Sequence, residues 1–247
     1  MQEEVVVEWI EGTKLVARNG MTGATGNIYC GLHEYADMSF VLHLLRPGDL
    51  FVDVGANIGS YTVLASGVCG ARSIAIEPDE AALRHLRRNI TENSLDALAE
   101  VRRTAVGDGT GSISFTVGKD TTNQVAKPGD LQVQTVPLSR LDDILRSEKP
   151  TCIKFDVEGY ETEALRGAKE VLASTSLLAV LLETVDVEAN TMLRHAGFSE
   201  FAYDPVHNRL EGADTATASN RLYIRGQQMV SHRLNTSTAF EWQDRTL

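Results

Sequence analysis

No stretch of the 247-residue chain approaches the ~18–20 consecutive apolar residues of a membrane-spanning helix. Its first residues, MQEEVVVEWIEGTK, carry acids where a secretory leader needs bases, and the apolar run is too short for one. Cysteine is scarce: Cys30, Cys69 and Cys152 stand far apart and form no CxxC pair, and the six histidines show no metal-type spacing such as HxxxH. These absences argue against a disulfide framework and a zinc site, and they point to reduced thiols in a cytoplasmic protein. Positive charge is in deficit, with 23 Lys and Arg against 34 Asp and Glu, a formal charge of −11. A surface that acidic repels phosphate backbones, which disfavours nucleic acid as a partner but not a cationic cofactor. There is no internal repeat and no interdomain linker.

A hydrophobic fraction of 43% supports a sizeable core. Residues 5–10 and 14–18 flank EGT and predict a β-hairpin; the glycine-rich NGMTGATGN after it predicts a loop. Apolar residues at helical spacing (Met38, Val41, Leu42, Leu45) predict a helix that Pro47-Gly48 ends. From residue 50, strands and helices alternate: strand 50–54, helix 59–68, strand 73–77, helix 79–93 and a third strand in AEVRRTAVGD. Two extra strands, 112–117 and 132–136, surround a polar loop at 118–130. Helix 138–146, strand 151–157, helix 160–173, strand 178–183 and helix 187–196 follow. The last two strands, in GFSEFAYDP and NRLYIRG, are joined without a helix and predict an antiparallel pair. Such alternation means βαβ units and a mostly parallel sheet. Three segments are expected: an N-terminal hairpin extension (1–30), one α/β domain (31–225) and a tail (226–247).

The first core strand ends in FVDVGANIGSY, residues 51–61. In an open parallel sheet, ligands bind beyond the carboxyl ends of the strands where strand order reverses. Gly55 and Gly59 let backbone come close to a ligand, and the following helix start offers free N–H groups. A dinucleotide and S-adenosylmethionine both fit that place. A dinucleotide site wants G-x-G-x-x-G against its diphosphate. Here Asn57 holds the second glycine's place and Asp53 adds negative charge. Both suit a sulfonium ligand with an α-ammonium, so the stretch favours S-adenosylmethionine over a nicotinamide cofactor. Tyr61 follows on the same helix start. Glu77, at the end of the second strand, can accept ribose hydroxyls, or can serve as an acid near a helix start. Gly107 and Asp108, in AVGD, sit where an adenine edge should lie, although GDGTG is also a turn.

In CIKFDVEGYE, Lys154, Asp156 and Glu158 share one strand parity. A strand covered on both faces should be apolar, so three charges must pair or reach an open crevice. Asp156 and Glu158 are expected to border the transferring group, with Lys154 deeper to balance them; a structural salt bridge is the alternative. Glu183 ends the neighbouring strand, and Asp156 with Glu183 can hold Mg²⁺ through oxygen ligands, or Glu183 can cap a helix. His33 is a candidate base because its ordinary pKa lies near neutrality. Glu34 or Asp37 can meet an ammonium, or simply open a helix. His195 and Cys152 are expected in packing.

Taken together and in order, FVDVGANIGSYT, AIEPD, AVGD, VPLSRLDDIL and IKFDVEGYETEALRGA resemble the FkbM-type methyltransferases, within the class I S-adenosylmethionine-dependent group. The resemblance covers roughly residues 30–185. It implies a Rossmann-like, seven-stranded sheet, mostly parallel with the last strand antiparallel. It also implies methylation of a hydroxyl on a sugar, glycan or secondary metabolite, with S-adenosylhomocysteine as the product of the donor. A nicotinamide oxidoreductase and a non-catalytic cofactor-binding protein are the competing functions.

Overall fold

The computed structural model describes residues 4–18, 21–118, 123–213, 220–238, 240–242 and 245–246. The expected hairpin forms: β1 (Glu4–Glu8) pairs antiparallel with β2 (Lys14–Arg18), Val6 opposite Val16. The glycine-rich run expected as a loop is instead helix α1 (Thr22–Cys30). Its interior Gly26 has a packing reason, since a Cβ there would lie 2.8 Å from Nδ1 of His33. Helix α2 (Tyr35–Leu44) follows and buries most of its length.

Next come β3 (Leu50–Val54), α3 (Ser60–Val63), extended by a wider π-type turn over Leu64–Val68, β4 (Arg72–Ile76) and α4 (Glu80–Glu92). Asp79 starts α4 by accepting from the Ala82 N–H at 3.0 Å, a side-chain cap on an otherwise unpaired donor. The expected third strand divides into β5 (Ala99–Arg102) and β6 (Ala105–Val106). With β7 (Gly111–Thr116) and β8 (Val133–Ser139), β6 builds a separate three-stranded sheet in the order β6-β8-β7. Then follow α5 (Leu141–Leu145), β9 (Cys152–Phe155), α6 (Glu161–Arg166), α7 (Lys169–Ala173) and β10 (Ala179–Leu182). The helix expected over 160–173 breaks at Gly167, where a Cβ would lie 1.9 Å from the Gly107 carbonyl oxygen. The chain ends with α8 (Val187–His195), β11 (Ser199–Asp204), β12 (Arg209–Gly212), β13 (Arg221–Ile224), α9 (Gln227–Asn235), β14 (Glu241–Trp242) and β15 (Arg245–Thr246).

The main sheet has eight strands in the order β12-β11-β13-β10-β9-β3-β4-β5, one more than expected. The extra strand is β12, from a stretch that looked like loop; it folds back on β11 with Leu210 opposite Tyr203. Strands β5, β4, β3, β9 and β10 run parallel, whereas β13 is antiparallel to both β10 and β11. Strand order therefore reverses between β3 and β9, which opens a crevice at their carboxyl ends.

Alternation along the central strands splits the core in two. Phe51, Ala75, Cys152 and Leu181 belong to one cluster with α2 and α3; Val52, Val54, Ile153, Phe155 and Leu182 belong to the other with α6 to α8. Cys152 is thus in packing as expected, but His195, at the exposed end of α8, is not. Among the described residues, no helix is long and apolar enough to cross a membrane.

Candidate active site

Beyond the carboxyl ends of β3, β4, β9 and β10 lies a cavity of about 460 Å³. The Gly55–Gly59 turn forms one wall. Gly55 sits at φ 82° and Gly59 at φ 85°, a region open to glycine. The close approach at Gly55 is made by the protein itself: a Cβ would lie 1.8 Å from the Asp156 carbonyl oxygen, so this glycine lets two loops of the cavity touch. At Gly59 the neighbour is a Leu86 methyl, 2.3 Å from a built Cβ. Asn57 also has positive φ, 51°, and donates its N–H to Oε2 of Glu77 at 2.8 Å. The other oxygen, Oε1, takes the Asp79 N–H at 2.8 Å. Glu77 therefore ties the glycine turn to the start of α4, with one further lone-pair direction per oxygen. Burial pushes its carboxyl up to about 7, against these two amides.

Asp53 and Lys154 face each other across β3 and β9, on the side of the sheet covered by α3. Asp53 is buried, accepts from the Thr62 hydroxyl at 2.7 Å, and is pushed up to about 6 by burial, with Lys154 opposing. Burial would lower Lys154, but Asp156, Glu34 and Asp53 outweigh it and hold the ammonium above its usual range. Its Nζ lies 2.5 Å from Oδ2 of Asp156 and 4.7 Å from the centroid of the Tyr61 ring. Lys154 is thus the buried half of an ion pair. The Tyr61 hydroxyl is buried without a hydrogen bond of ordinary geometry, and burial and Glu34 push its pKa up.

Strand β9 ends at Phe155, so Asp156 and Glu158 stand on the turn that follows, Glu158 at φ 54°. One carboxylate oxygen each from Asp156, Glu158 and Glu183 lie within 4.8 Å of one another. Like charges so close oppose joint ionisation. Burial, then Asp156 and Glu158, push Glu183 up to about 7, and its Oε2 is buried with no partner. Burial and Asp156 also raise Glu158. Glu34 lines the cavity and accepts from Asn220 Nδ2 at 2.9 Å. Asp37 lies behind it, takes two hydrogen bonds from Asn220 and is pushed up to about 6 by burial. His33 is exposed at the rim, its N–H bonded to Asn27 Oδ1 at 3.0 Å.

Gly107 and Asp108 do not line the cavity. The chain leaves the main sheet for β6, Gly107 packs against Leu138 and Tyr160, and Asp108 is exposed. That wall is made instead by Thr104, Ala105, Val106, Phe115 and Val125. Phe115 was legible in principle, as the one aromatic in the polar strand SISFT. Asn27, which reaches the wall from α1 and bonds Ser60 at 3.2 Å, left no signal because its helix was not foreseen.

The strand order and the cavity at the switch point define a Rossmann-like methyltransferase fold. A crystal structure of methyltransferase FkbM from Methylobacillus flagellatus shares it, with TM-score 0.50 and 21% identity over 81% of this chain and 52% of that one. The chain belongs to the FkbM methyltransferase family, whose domain model matches residues 53–199. It is 31% identical over 145 residues to the hexuronic acid methyltransferase AglP of Haloferax volcanii, covering 57% of this chain and 58% of that protein. It is 31% identical over 104 residues to a ribosomal protein L11 methyltransferase of Thermotoga neapolitana, covering 40% and 38%. The chain thus spans less than two thirds of the curated relatives it matches.

Proposed function

We propose that the chain uses S-adenosylmethionine to methylate a hydroxyl of a sugar, glycan or related metabolite. The observation that carries this reading is the division of one cavity into two chemically distinct ends. The glycine turn and Glu77 stand beyond β3 and β4, and the carboxylates Asp156, Glu158 and Glu183 beyond β9 and β10. Family membership supports methyl transfer, and the relative named for hexuronic acid supports a sugar acceptor.

The bound donor would supply an electrophilic methyl on a sulfonium sulfur. Glu77 has lone pairs left for two ribose hydroxyls. Asp53 and Glu34 supply negative charge for an α-ammonium, and the unpartnered Tyr61 hydroxyl beside Glu34 fits a polar ligand there. Lys154 holds Asp156 in place. Glu183, whose pKa near neutrality suits a general base, would take the acceptor hydroxyl's proton while the new oxygen–carbon bond replaced the donor's carbon–sulfur bond, whose electron pair would leave on sulfur. His33, exposed at the rim, is the alternative acceptor of that proton. The same three carboxylates also suit an oxygen-coordinated Mg²⁺, which would lower the pKa of the hydroxyl; full activity after chelation removes that variant.

Calorimetry with S-adenosylhomocysteine tests the reading. The wild type binds, Asp53→Ala binds more weakly, and Glu158→Ala keeps affinity while losing turnover. No binding by the folded wild type refutes the function. Binding with no transfer to any acceptor would identify a cofactor-binding protein instead.

A further inference from the structure

The cavity wall carries seven carboxylates against one lysine, one histidine and no arginine among the described residues. Glu77 and Asp79 belong to the glycine-turn end, where Glu77 is engaged with backbone amides. Asp53 and Glu34 lie on the floor, around Lys154. The far end, beyond β9 and β10, holds Asp156, Glu158 and Glu183. The one lysine is committed to Asp156 at 2.5 Å and is 2% exposed, so it cannot turn to a second anion. Two backbone donors there are committed as well: the N–H groups of Val157 and Gly159 both point to Oε1 of Glu161. Recognition of a carboxylate or phosphate needs an arginine fork, a lysine or free N–H groups. Among the described residues the acceptor end presents no arginine and no uncommitted lysine.

One buried atom marks this end as open to a polar ligand: Oε2 of Glu183 has no hydrogen-bond partner and lies in the field of Asp156. The Tyr61 hydroxyl, beside Glu34, belongs to the donor's end.

We infer that the acceptor, within the methyltransferase reading above on which this rests, is an amino-substituted polyol whose ammonium sits among Asp156, Glu158 and Glu183 beside the hydroxyl to be methylated. An ammonium offers three donors to three carboxylates and relieves their mutual repulsion. A neutral polyol gains hydrogen bonds but leaves the repulsion in place. A carboxylate-bearing sugar adds a further negative charge.

Three probes that differ in one group separate these cases: methyl glucosaminide, methyl glucoside and methyl glucuronide. Each is titrated by calorimetry into protein saturated with S-adenosylhomocysteine, with chelator present. The glucosaminide should bind at least about tenfold tighter than the glucuronide, a ratio equivalent to one pK unit of charge interaction, with the glucoside between them. In Glu183→Gln and in Asp156→Asn that preference should shrink, while S-adenosylhomocysteine affinity reports that the cavity is still formed. Equal or tighter binding of the glucuronide, or no binding by any probe, overturns the inference. So does a reversal on adding Mg²⁺, which would make the carboxylates a cation site. Failure of S-adenosylhomocysteine to bind at the outset refutes the function itself instead.

Discussion

Gly55 carries two demands at one residue. Its φ of 82° lies where side chains are strained, and its missing Cβ leaves room for the carbonyl of Asp156. Gly55→Ala cannot satisfy both, because backbone rather than a flexible side chain stands in the way. We expect a loss of at least about 3 kcal/mol of stability, read by denaturant unfolding, together with loss of S-adenosylhomocysteine binding. Glu77 gives a second test at this scale. A ligand that donates hydroxyls to it favours the ionised form, and burial has raised its pKa to about 7. Ligand affinity should therefore increase by about tenfold from pH 6 to pH 8 in calorimetry, and Glu77→Gln should flatten that dependence. The sequence singled out both residues, and both line the cavity. The touching of two loops at Gly55 was not legible in it, because it depends on where β9 delivers its turn.

At the scale of elements, the last helix repays attention. The sequence left the tail after Gly226 without an assignment. In the structure α9 packs along α2, with Val230 and Leu234 fully buried and Arg233 paired to Asp49 at 2.5 Å. Ending the chain at residue 226 exposes the cluster these two side chains cover. We expect a cost of about 3–6 kcal/mol, measured by chemical unfolding, from the two aliphatic burials alone. The parallel strands and the capped helices α4 and α8 were readable, because continuous apolar runs and Asp caps are local signals. Helix α1 was misread because Gly23 and Gly26 resemble a loop locally, and only the fit against His33 explains the second of them. Strand β12 was missed because a four-residue polar edge strand has no pattern of its own; β11 supplies it.

Across the whole molecule, buried carboxyls should govern the dependence of stability on pH. Burial raises Asp37 and Asp53 to about 6, and Glu77 and Glu183 to about 7, from ordinary values near 4. An acid whose folded pKa is raised binds its proton more tightly when folded. Its stabilisation is fully present below about pH 4 and is lost as pH rises through 6 to 7. His43 acts oppositely: buried against Tyr203 and Phe240, it is pushed down to about 4, so its contribution is present above about pH 6.5 and lost as pH falls. Four groups outweigh one between these limits. The unliganded protein should therefore melt at a higher temperature at pH 5 than at pH 8, and a melting temperature that rises over that interval would contradict the assignment.

By itself the sequence determined the alternation of strands and helices, the nature of the glycine turn and the acids at the strand ends. Each of these is written in short-range spacing and residue type, which act over one strand or one turn of helix. Only the tertiary structure decided how many strands the sheet holds, that α1 rather than a loop covers the cavity, and that Gly107 and Asp108 stand outside it. The sequence already set Glu183 on the strand beside Asp156, but only the structure added Glu158 to the pair and drew one oxygen of each of the three within 4.8 Å. That closeness, and the shifted ionisation that follows from it, depends on how the turn after β9 packs against the end of β10, which no local pattern encodes.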